Sequence, residues 1–324
     1  MTKFLRGVLI LPLLWAATAA QAEWLHREQA IMGTRTAVEL WASERAAGEA
    51  AIDAVFNDMK RIDELMSTYK DTSEVSKVNR EAAQHPVQVS AELLGLLETA
   101  QHYSEISQGA FDITYASVGY LFDYRNHKRP DQATIDKTLP AVDYRQLKLD
   151  RANRTVFFAK PGMRIDLGGI GKGYAVDRGI EILRKLGFAH ALVNAGGDTR
   201  VLGDRMGAPW IVGIRHPDRE NEVVLRIPLE DAAFSTSGDY ERYFDDGGVR
   251  YHHILNPKTG QSPHDIRSVT LISSTATRTD GLTKTVFILG PQEGMKFIDS
   301  LEDVDGVIIA ADGKVSYSKG LQPP

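Results

Sequence analysis

Apolar residues recur at helical spacing in three long stretches of the chain. The first stretch follows Ser43, a residue type that favours helix N-caps, and the second begins at Ser90 and ends before Gly109. The third follows a glycine-rich run and stops at Gly187, a residue typical of helix C-termini. The positions predicted to face the core in the first helix are Ile52, Val55, Phe56, Met59, Ile62 and Met66.

Shorter apolar or alternating segments between these helices predict strands. The predicted strands are Thr36–Trp41, Thr155–Ala159, Met163–Leu167, Ala191–Val193, Trp210–Arg215, Glu222–Ile227 and Ser268–Ser273. Two further helices are predicted, one from Thr279 and one over Gln292–Leu301, before a hairpin whose Asp312-Gly313 pair favours a type I′ turn. The charged stretch Leu121–Asp143 is predicted to be an irregular segment on the protein surface. Strands and helices that alternate without a βαβ rhythm indicate an α+β fold with mixed or antiparallel sheets and packed helices.

The N-terminus has the pattern of a secretory signal. Lys3 and Arg6 precede the apolar run Val8–Trp15, and Ala20-Gln21-Ala22 is a small-residue cleavage site. We therefore predict a signal peptide over residues 1–22 and one large domain of two intimate lobes over residues 23–324; an uncleaved anchor is the alternative. The sequence has no twin arginine and no cysteine to lipidate, so the expected location is the periplasm, and not as a lipoprotein.

Composition narrows the classes of function. The chain has 324 residues, a formal net charge of −5 and no cysteine, which leaves no disulfide and no thiolate chemistry. We find no basic patch of the kind that binds nucleic acid. The length is ample for a large hydrophobic core.

The run from Asp166 to Asp177 contains four glycines within six residues at a predicted strand-to-helix turn. Such a turn lets backbone N–H groups approach an anion, and Lys172 adds a full positive charge, so a diphosphate is the expected ligand. The run matches neither the dinucleotide fingerprint, because Tyr174 stands where the third glycine should be, nor the P-loop. The alternative is a tight turn whose glycines serve packing alone.

Two further segments carry candidate chemistry. Asp112 lies between apolar neighbours in a small-residue turn, where it either serves a site or caps the turn. His252 and His253 are adjacent, so in a strand they point to opposite sides and only one of them can face a given site. A lone surface histidine is the alternative reading of either residue.

Eight motifs in this order resemble the ApbE family of exported FAD:protein FMN transferases, from Met32 to about Gly290. They are Met-Gly-Thr, Ser-Thr-Tyr, Gly-Ala-Phe-Asp, Asp-Leu-Gly-Gly-Ile-Gly-Lys-Gly-Tyr-Ala-Val-Asp, Asn-Ala-Gly-Gly-Asp, Ser-Thr-Ser-Gly-Asp-Tyr-Glu-Arg, His-Ile-Leu-Asn-Pro-Lys-Thr-Gly and Thr-Asp-Gly-Leu-Thr-Lys-Thr-Val-Phe-Ile-Leu-Gly. The resemblance implies an enzyme that splits FAD at its diphosphate, attaches FMN by a phosphoester to a threonine or serine of an acceptor protein, and releases AMP.

The resemblance also implies the site. His253 matches the histidine proposed to deprotonate the acceptor hydroxyl, and an ordinary histidine pKa near 6.5 suits that task. The residues implied for FAD binding are Met32, Tyr69, Ala110, Phe111, Asp112, Asp166, Lys172, Asp177, Gly196, Gly197, Ser237 and Ile254.

A magnesium ion is implied as well, held by the backbone carbonyl of Gly169 and the carboxylate of Asp280. Many relatives have a threonine four residues after this aspartate as a second side-chain ligand, but here the position is Lys284. An ammonium cannot bind magnesium. Thr283 or Thr285 could substitute, water could fill the gap, or Lys284 could itself neutralise the diphosphate.

Two other classes of function stay open: a protein that binds or hydrolyses FAD without transfer, and a non-enzymatic factor in assembly of a membrane redox complex. The sequence lacks an acceptor motif of the Asp-[small]-[small]-Thr-[Ser/Ala] kind. We therefore expect the partner to be another protein, in a membrane-bound electron-transfer complex.

Overall fold

The computed structural model describes residues 22–217, 219 and 222–322. The predicted signal peptide therefore lies outside the described residues, except for its last position. Within the described ranges, no helix has both the length and the apolar character that crossing a bilayer requires.

The helices and strands follow one another along the chain much as the sequence pattern predicts. The helices are α1 (Arg45–Met66), α2 (Glu74–Glu81), α3 (Ala91–Ile106), α4 (Ala116–Gly119), α5 (Gln132–Thr138), α6 (Gly171–Lys185) and α7 (Ala276–Asp299). A kink at Gly290, where φ is 80° and ψ is 176°, divides α7 into two helical segments, where the sequence predicts two helices. The strands are β1 (Glu23–Ile31), β2 (Thr34–Ala42), β3 (Val87–Gln88), β4 (Leu147–Asp150), β5 (Thr155–Phe158), β6 (Ala191–Ala195), β7 (Asp198–Leu202), β8 (Trp210–Arg215), β9 (Val223–Leu229), β10 (Ala233–Gly238), β11 (Tyr243–Asp246), β12 (Val249–His252), β13 (Ile266–Ser273), β14 (Asp305–Ala310) and β15 (Val315–Tyr317).

One eight-stranded sheet organises these elements, in the order β1-β2-β6-β7-β10-β13-β14-β15. Every neighbouring pair in it is antiparallel, which confirms the α+β prediction. The edge strand β1 exposes Glu28, and a charged side chain of this kind protects an edge from pairing with another chain.

The two faces of the sheet are covered by different layers. On one face α1, α6 and α7 pack against residues such as Val193 and Leu271, in a core that also receives the inward positions predicted for α1. On the other face the β8–β9 hairpin packs Trp210 and Ile227 against the sheet. Because successive strand residues alternate in direction, Phe234 joins this second layer while Ala233 joins the first.

A small antiparallel sheet, β3-β5-β4, lies with α2 and α3 beside the helical layer. Its residues Val156 and Phe158 belong to the same hydrophobic core as Val38 of the large sheet. The small sheet and the helix-covered face of the large sheet thus share one core.

Four local predictions differ from the structure. The cap of α1 is Glu44, whose carboxylate accepts the N–H of Ala47, and not Ser43. Met163–Leu167 joins no sheet, because side chains satisfy its backbone; the N–H of Ile165, for example, donates to Asn79 Oδ1 at 2.8 Å. The final hairpin is not type I′, since Gly313 has a positive φ but Asp312 does not. The stretch Leu121–Asp143 contains α5 and buries Phe122 and Ile135.

Several turns meet at one end of the large sheet. Met32 and Gly33 join β1 to β2 in a two-residue turn with φ of 54° and 68°, the signs of a type I′ turn. Gly196 and Gly197 join β6 to β7 beside it, and the N–H of Gly196 donates to the carbonyl of Arg35 at 2.9 Å. The start of α6 lies against Met32, so the glycine-rich loop is at this end of the sheet.

Candidate active site

The glycine-rich loop before α6 is shaped by Asp166. One carboxylate oxygen accepts the N–H of Gly168 at 2.6 Å and the hydroxyl of Tyr115 at 3.4 Å. The other oxygen accepts the hydroxyl of Thr68 at 2.9 Å, which ties the loop to the segment that carries Tyr69. Asp166 therefore holds two parts of the predicted site in a fixed relation.

The glycines of this loop serve two different purposes. A Cβ at Gly173 would lie 2.2 Å from the carbonyl oxygen of Ala276, so glycine there allows α6 and α7 to touch. A Cβ at Gly169 would meet nothing nearer than 3.4 Å, and one at Gly171 nothing nearer than 3.8 Å. Packing within the described residues does not demand glycine at these two positions. Gly171 is buried, but Gly169 is partly exposed, and this favours a surface there that a ligand approaches closely.

Behind the loop, α6, β7 and α7 bring together two lysines and two aspartates. Lys172 Nζ lies 2.7 Å from Asp198 Oδ2 and 3.5 Å from Asp280 Oδ2. The ammonium of Lys284 pairs with the other oxygen of Asp280, and the N–H of Gly173 donates to Asp280 Oδ2 at 3.0 Å. Both aspartates are buried, whereas the lysine side chains keep 24% and 17% of their surface exposed, so the cations are the members that a ligand can reach.

Burial and pairing set the protonation of this cluster. Burial alone raises the pKa of Asp280, but the ammonium groups of Lys172 and Lys284 outweigh it, and the pKa lies below its ordinary value. Burial alone lowers the pKa of Lys172, but the two carboxylates outweigh it and raise the pKa. Burial, with the nearby carboxylate of Asp280, raises the pKa of Asp198. At neutral pH Asp280 and Lys172 are therefore both charged.

The magnesium ion implied by the resemblance does not fit this arrangement. Both oxygens of Asp280 already have partners, and one of those partners is the Lys284 ammonium. The hydroxyl of Thr283 donates to the carbonyl of Asp280 at 2.8 Å and accepts from Ser237 at 2.9 Å, so it is engaged elsewhere. Among the described residues no three His, Cys, Asp or Glu side chains form a metal-binding group.

The two adjacent histidines differ in position, because β12 ends at His252 and His253 is the first residue after it. His252 is a core residue: its Nε2 lies 2.8 Å from the carbonyl of Pro263, and its ring packs against Phe287. The backbone N–H and carbonyl of His252 both bond to the Ser262 hydroxyl, at 3.1 and 2.7 Å. These contacts fix the strand end from which His253 projects.

His253 lies close enough to the charged cluster for Lys284 and Lys172 to act on its ring. Burial, followed by the positive charge of Lys284, lowers the pKa of His253 to about 3, so the ring is neutral at neutral pH. This corrects the expectation of an ordinary pKa near 6.5. Its Nδ1 is buried and has no hydrogen-bond partner in the described part of the chain.

Aromatic and apolar side chains line the approach to the loop. Tyr69 is 90% exposed, an unusual position for an aromatic ring on an ordered segment. Phe111 is buried edge-on against Tyr103, with ring centroids 6.1 Å apart, and faces Gly169. The methyl of Met32 faces Gly171. Ala110 and Ile254 are buried next to Phe111 and His253 along the chain.

Some candidates have structural roles instead. Asp112 caps a short turn: its oxygens accept from the N–H and hydroxyl of Thr114 and from the N–H of Tyr144, as the alternative reading expected. Asp177 caps α7 by accepting the N–H groups of Ala276 and Thr277 at 2.9 and 2.8 Å. Its carboxylate also pairs with Arg200, and Ser237 ties β10 to α7. These residues position the site, and their bonding capacity is largely used within the protein.

The sequence reading missed Asp198, although it ends the Asn-Ala-Gly-Gly-Asp motif. A carboxylate at the start of a buried strand was the available signal, because a buried charge needs a partner. Its partner, Lys172, lies far away in sequence, and only the fold brings the two together.

The sequence is similar to those of known proteins. The sequence model of the ApbE family matches residues 32–308. An FAD:protein FMN transferase of Klebsiella pneumoniae (strain 342) is 31% identical over 292 residues, which cover 89% of this chain and 90% of that protein. One from Treponema pallidum (strain Nichols) is 32% identical over 315 residues, with coverages of 91% and 87%.

Solved structures resemble the whole fold. The ApbE protein of Thermotoga maritima has a TM-score of 0.86 at 33% identity, covering 92% of this chain and 98% of that one. The apo form of the Pseudomonas stutzeri flavinyl transferase ApbE has a TM-score of 0.82 at 27% identity, with coverages of 92% and 96%.

Proposed function

This chain belongs to the ApbE family and is an FAD:protein FMN transferase, and we propose that its own site residues carry out the reaction as follows. A threonine or serine hydroxyl of an acceptor protein attacks the phosphorus on the FMN side of the FAD diphosphate. The bond from that phosphorus to the bridging oxygen breaks, and AMP leaves with the electron pair. The hydroxyl proton passes to the His253 ring.

The observation that carries this proposal is the convergence of His253, Lys284 and the glycine-rich loop. The loop offers close backbone approach at Gly169, while Lys172 and Lys284 supply cations beside it. Positive charge placed where the diphosphate gains charge is the main requirement of phosphoryl transfer. The neutral ring of His253 on the same side meets the requirement for a base.

The low pKa of His253 belongs to the protein without substrate. A bound diphosphate brings negative charge next to Lys284, and this opposes the effect of the lysine on the histidine. Burial, the larger cause of the low pKa of His253, stays in place, so a bound diphosphate restores only the part of the pKa that Lys284 removes.

Tyr69 is proposed to stack on the flavin ring, since its side chain is exposed but its segment is fixed through Thr68 and Asp166. Magnesium, which the resemblance implies, has no role in this proposal, because Lys284 and Lys172 already engage Asp280.

We also propose that the protein works in the periplasm, on an acceptor within a membrane-bound electron-transfer complex. The pattern over residues 1–22 supports export, and the lack of an acceptor motif supports a separate partner. The mass of the mature N-terminus, measured on protein from the periplasmic fraction, tests the first part; an intact N-terminus in the cytoplasm contradicts it.

The test of function is incubation with FAD and a candidate acceptor domain, followed by separation of the products. Transfer predicts AMP and a fluorescent flavin that stays with the denatured acceptor, in equal amounts. A matched acceptor with alanine at its threonine must stay unlabelled. AMP with free FMN would instead indicate an FAD hydrolase, and no turnover would favour a non-enzymatic role.

A further inference from the structure

We infer that the Lys284 ammonium takes the position of a divalent cation on Asp280, so that this protein binds FAD and transfers FMN without a metal ion. The inference rests on the proposed transferase function. It concerns the source of the positive charge at the diphosphate.

The side chain of Lys284 is directed toward Asp280. Lys284 follows Asp280 by one turn of α7, and its ammonium binds one of the carboxylate oxygens of Asp280. Along its stem, Cγ and Cε lie 3.8 and 3.9 Å from the point where a Cβ of Gly169 would be. The side chain therefore runs between Gly169 and Asp280, the two residues that the resemblance assigns to the metal.

In the described part of the chain, the other candidate ligands near Asp280 are Asp198, Thr283 and Thr285. The buried hydroxyl of Thr285 has no hydrogen-bond partner, but Thr285 follows Asp280 by five residues and so lies about 140° around the helix from it. Asp198 is held by Lys172 at 2.7 Å, and the Thr283 hydroxyl is held between Ser237 and the backbone of Asp280. A divalent ion would thus gain one carboxylate whose oxygens are already bonded. It would also stand beside an ammonium that repels it.

The charge balance of the cluster supports the same inference. Two lysines pair with two buried aspartates, so the carboxylates already have cationic partners before substrate arrives and need no ion to compensate them. When the acceptor oxygen bonds to phosphorus and AMP leaves with the electron pair, charge grows on the phosphate oxygens. A fixed ammonium next to them stabilises that charge, and the proton goes to His253 as before.

The experiment compares the wild type with Lys284→Thr, which restores a neutral oxygen ligand, and with Lys296→Thr as the control. Lys296 lies in the helical segment of α7 that follows a kink at Gly290, and its side chain is 72% exposed. Manganese binding, measured by electron paramagnetic resonance with and without FAD, is the readout that does not depend on activity. Transfer is measured in parallel, in chelator and in magnesium.

The wild type and Lys296→Thr are expected to bind no stoichiometric manganese and to transfer at the same rate in chelator as in magnesium. Lys284→Thr is expected to bind one ion and to lose about 100-fold of its transfer rate in chelator, the cost of removing one electrostatic stabiliser. Lys284→Gln, which keeps the side-chain length, should lose rate in the same way if Lys284→Thr does not fold.

Stoichiometric manganese binding by the wild type, or wild-type transfer that chelator abolishes and magnesium restores, would overturn the inference. If none of the proteins transfers FMN under any condition, the proposed function fails instead. Manganese binding still decides the role of Lys284 in that case, so the two failures are distinguishable.

Discussion

The backbone N–H of Gly173 donates a 3.0 Å hydrogen bond to the buried carboxylate of Asp280. This contact joins the first turn of α6 to α7, the helix that also carries Lys284. The glycine-rich loop enters α6 at this point, so its geometry depends on the close contact of the two helices. A Cβ on residue 173 would break that contact, because it would overlap the carbonyl of Ala276.

Two glycine variants separate packing from ligand approach. Gly173→Ala should lower the free energy of unfolding by about 1–3 kcal/mol, the usual cost of overpacking. Gly169→Ala should leave stability within about 1 kcal/mol of wild type, since its Cβ has room and its φ is not positive. Its FAD affinity should fall by about tenfold, which is 1.4 kcal/mol. Urea unfolding and calorimetric titration check both; unimpaired FAD binding by Gly169→Ala would contradict the ligand-approach argument.

The two histidines should give opposite phenotypes. His253→Ala should lower the transfer rate by about 10²–10⁴-fold and leave FAD affinity nearly unchanged, because a base acts in the transition state. Single-turnover transfer and calorimetry measure the two quantities. His252→Ala should instead lose stability, because its buried ring bonds to Pro263 and packs against Phe287. Similar rate losses per folded molecule in both variants would refute this division of roles.

Acid sensitivity should follow from His252. Burial lowers its pKa to about 4, while the unfolded chain titrates near 6.5, so between these values the unfolded state binds more protons. Stability is therefore present above pH 6.5 and is lost as the pH falls toward 4. Between pH 7.5 and pH 5 the wild type should lose about 2 kcal/mol more than His252→Asn, which lacks the titrating ring. Parallel urea curves with equal losses would show that His252 does not titrate as stated.

The proposed stacking of Tyr69 on the flavin ring predicts differences in affinity between variants and between flavins. Tyr69→Ala should weaken binding of both FAD and FMN by about 1 kcal/mol, through loss of ring stacking, without changing the melting temperature, because the ring is 90% exposed. Wild-type protein should prefer FAD to FMN, because FMN lacks the diphosphate that faces the loop. Equal affinity for the two flavins would remove the reason for locating the diphosphate there.

Much of the fold could be predicted from local patterns, because the spacing of apolar residues reflects which positions are buried. The helical spacing of Ile52, Val55 and Met59 predicted α1, and all three residues are buried. The edge strand β1 escaped prediction because its charged residues hide the alternation. Met163–Leu167 looked like a strand because it is apolar, but its backbone finds partners such as Asn79, about 86 positions earlier.

Part of the site could likewise be predicted from the sequence, and part could not. Glycines and a lysine in one run indicated an anion site, and Phe111, Gly169, Lys284 and Met32 do meet around it. The pairing of Lys172 with Asp198 and the depressed pKa of His253 arise from contacts between elements distant in sequence. Sequence spacing carries no information about such contacts.

The most direct test of FMN transfer is the intact mass of an acceptor domain after reaction with FAD. Wild-type protein should increase that mass by one FMN less one water, at a single threonine or serine found by fragmentation, with one AMP released per modified acceptor. His253→Ala should bind FAD and leave the mass unchanged. An acceptor of unchanged mass beside wild-type protein, while FAD is converted to AMP and free FMN, would contradict the account.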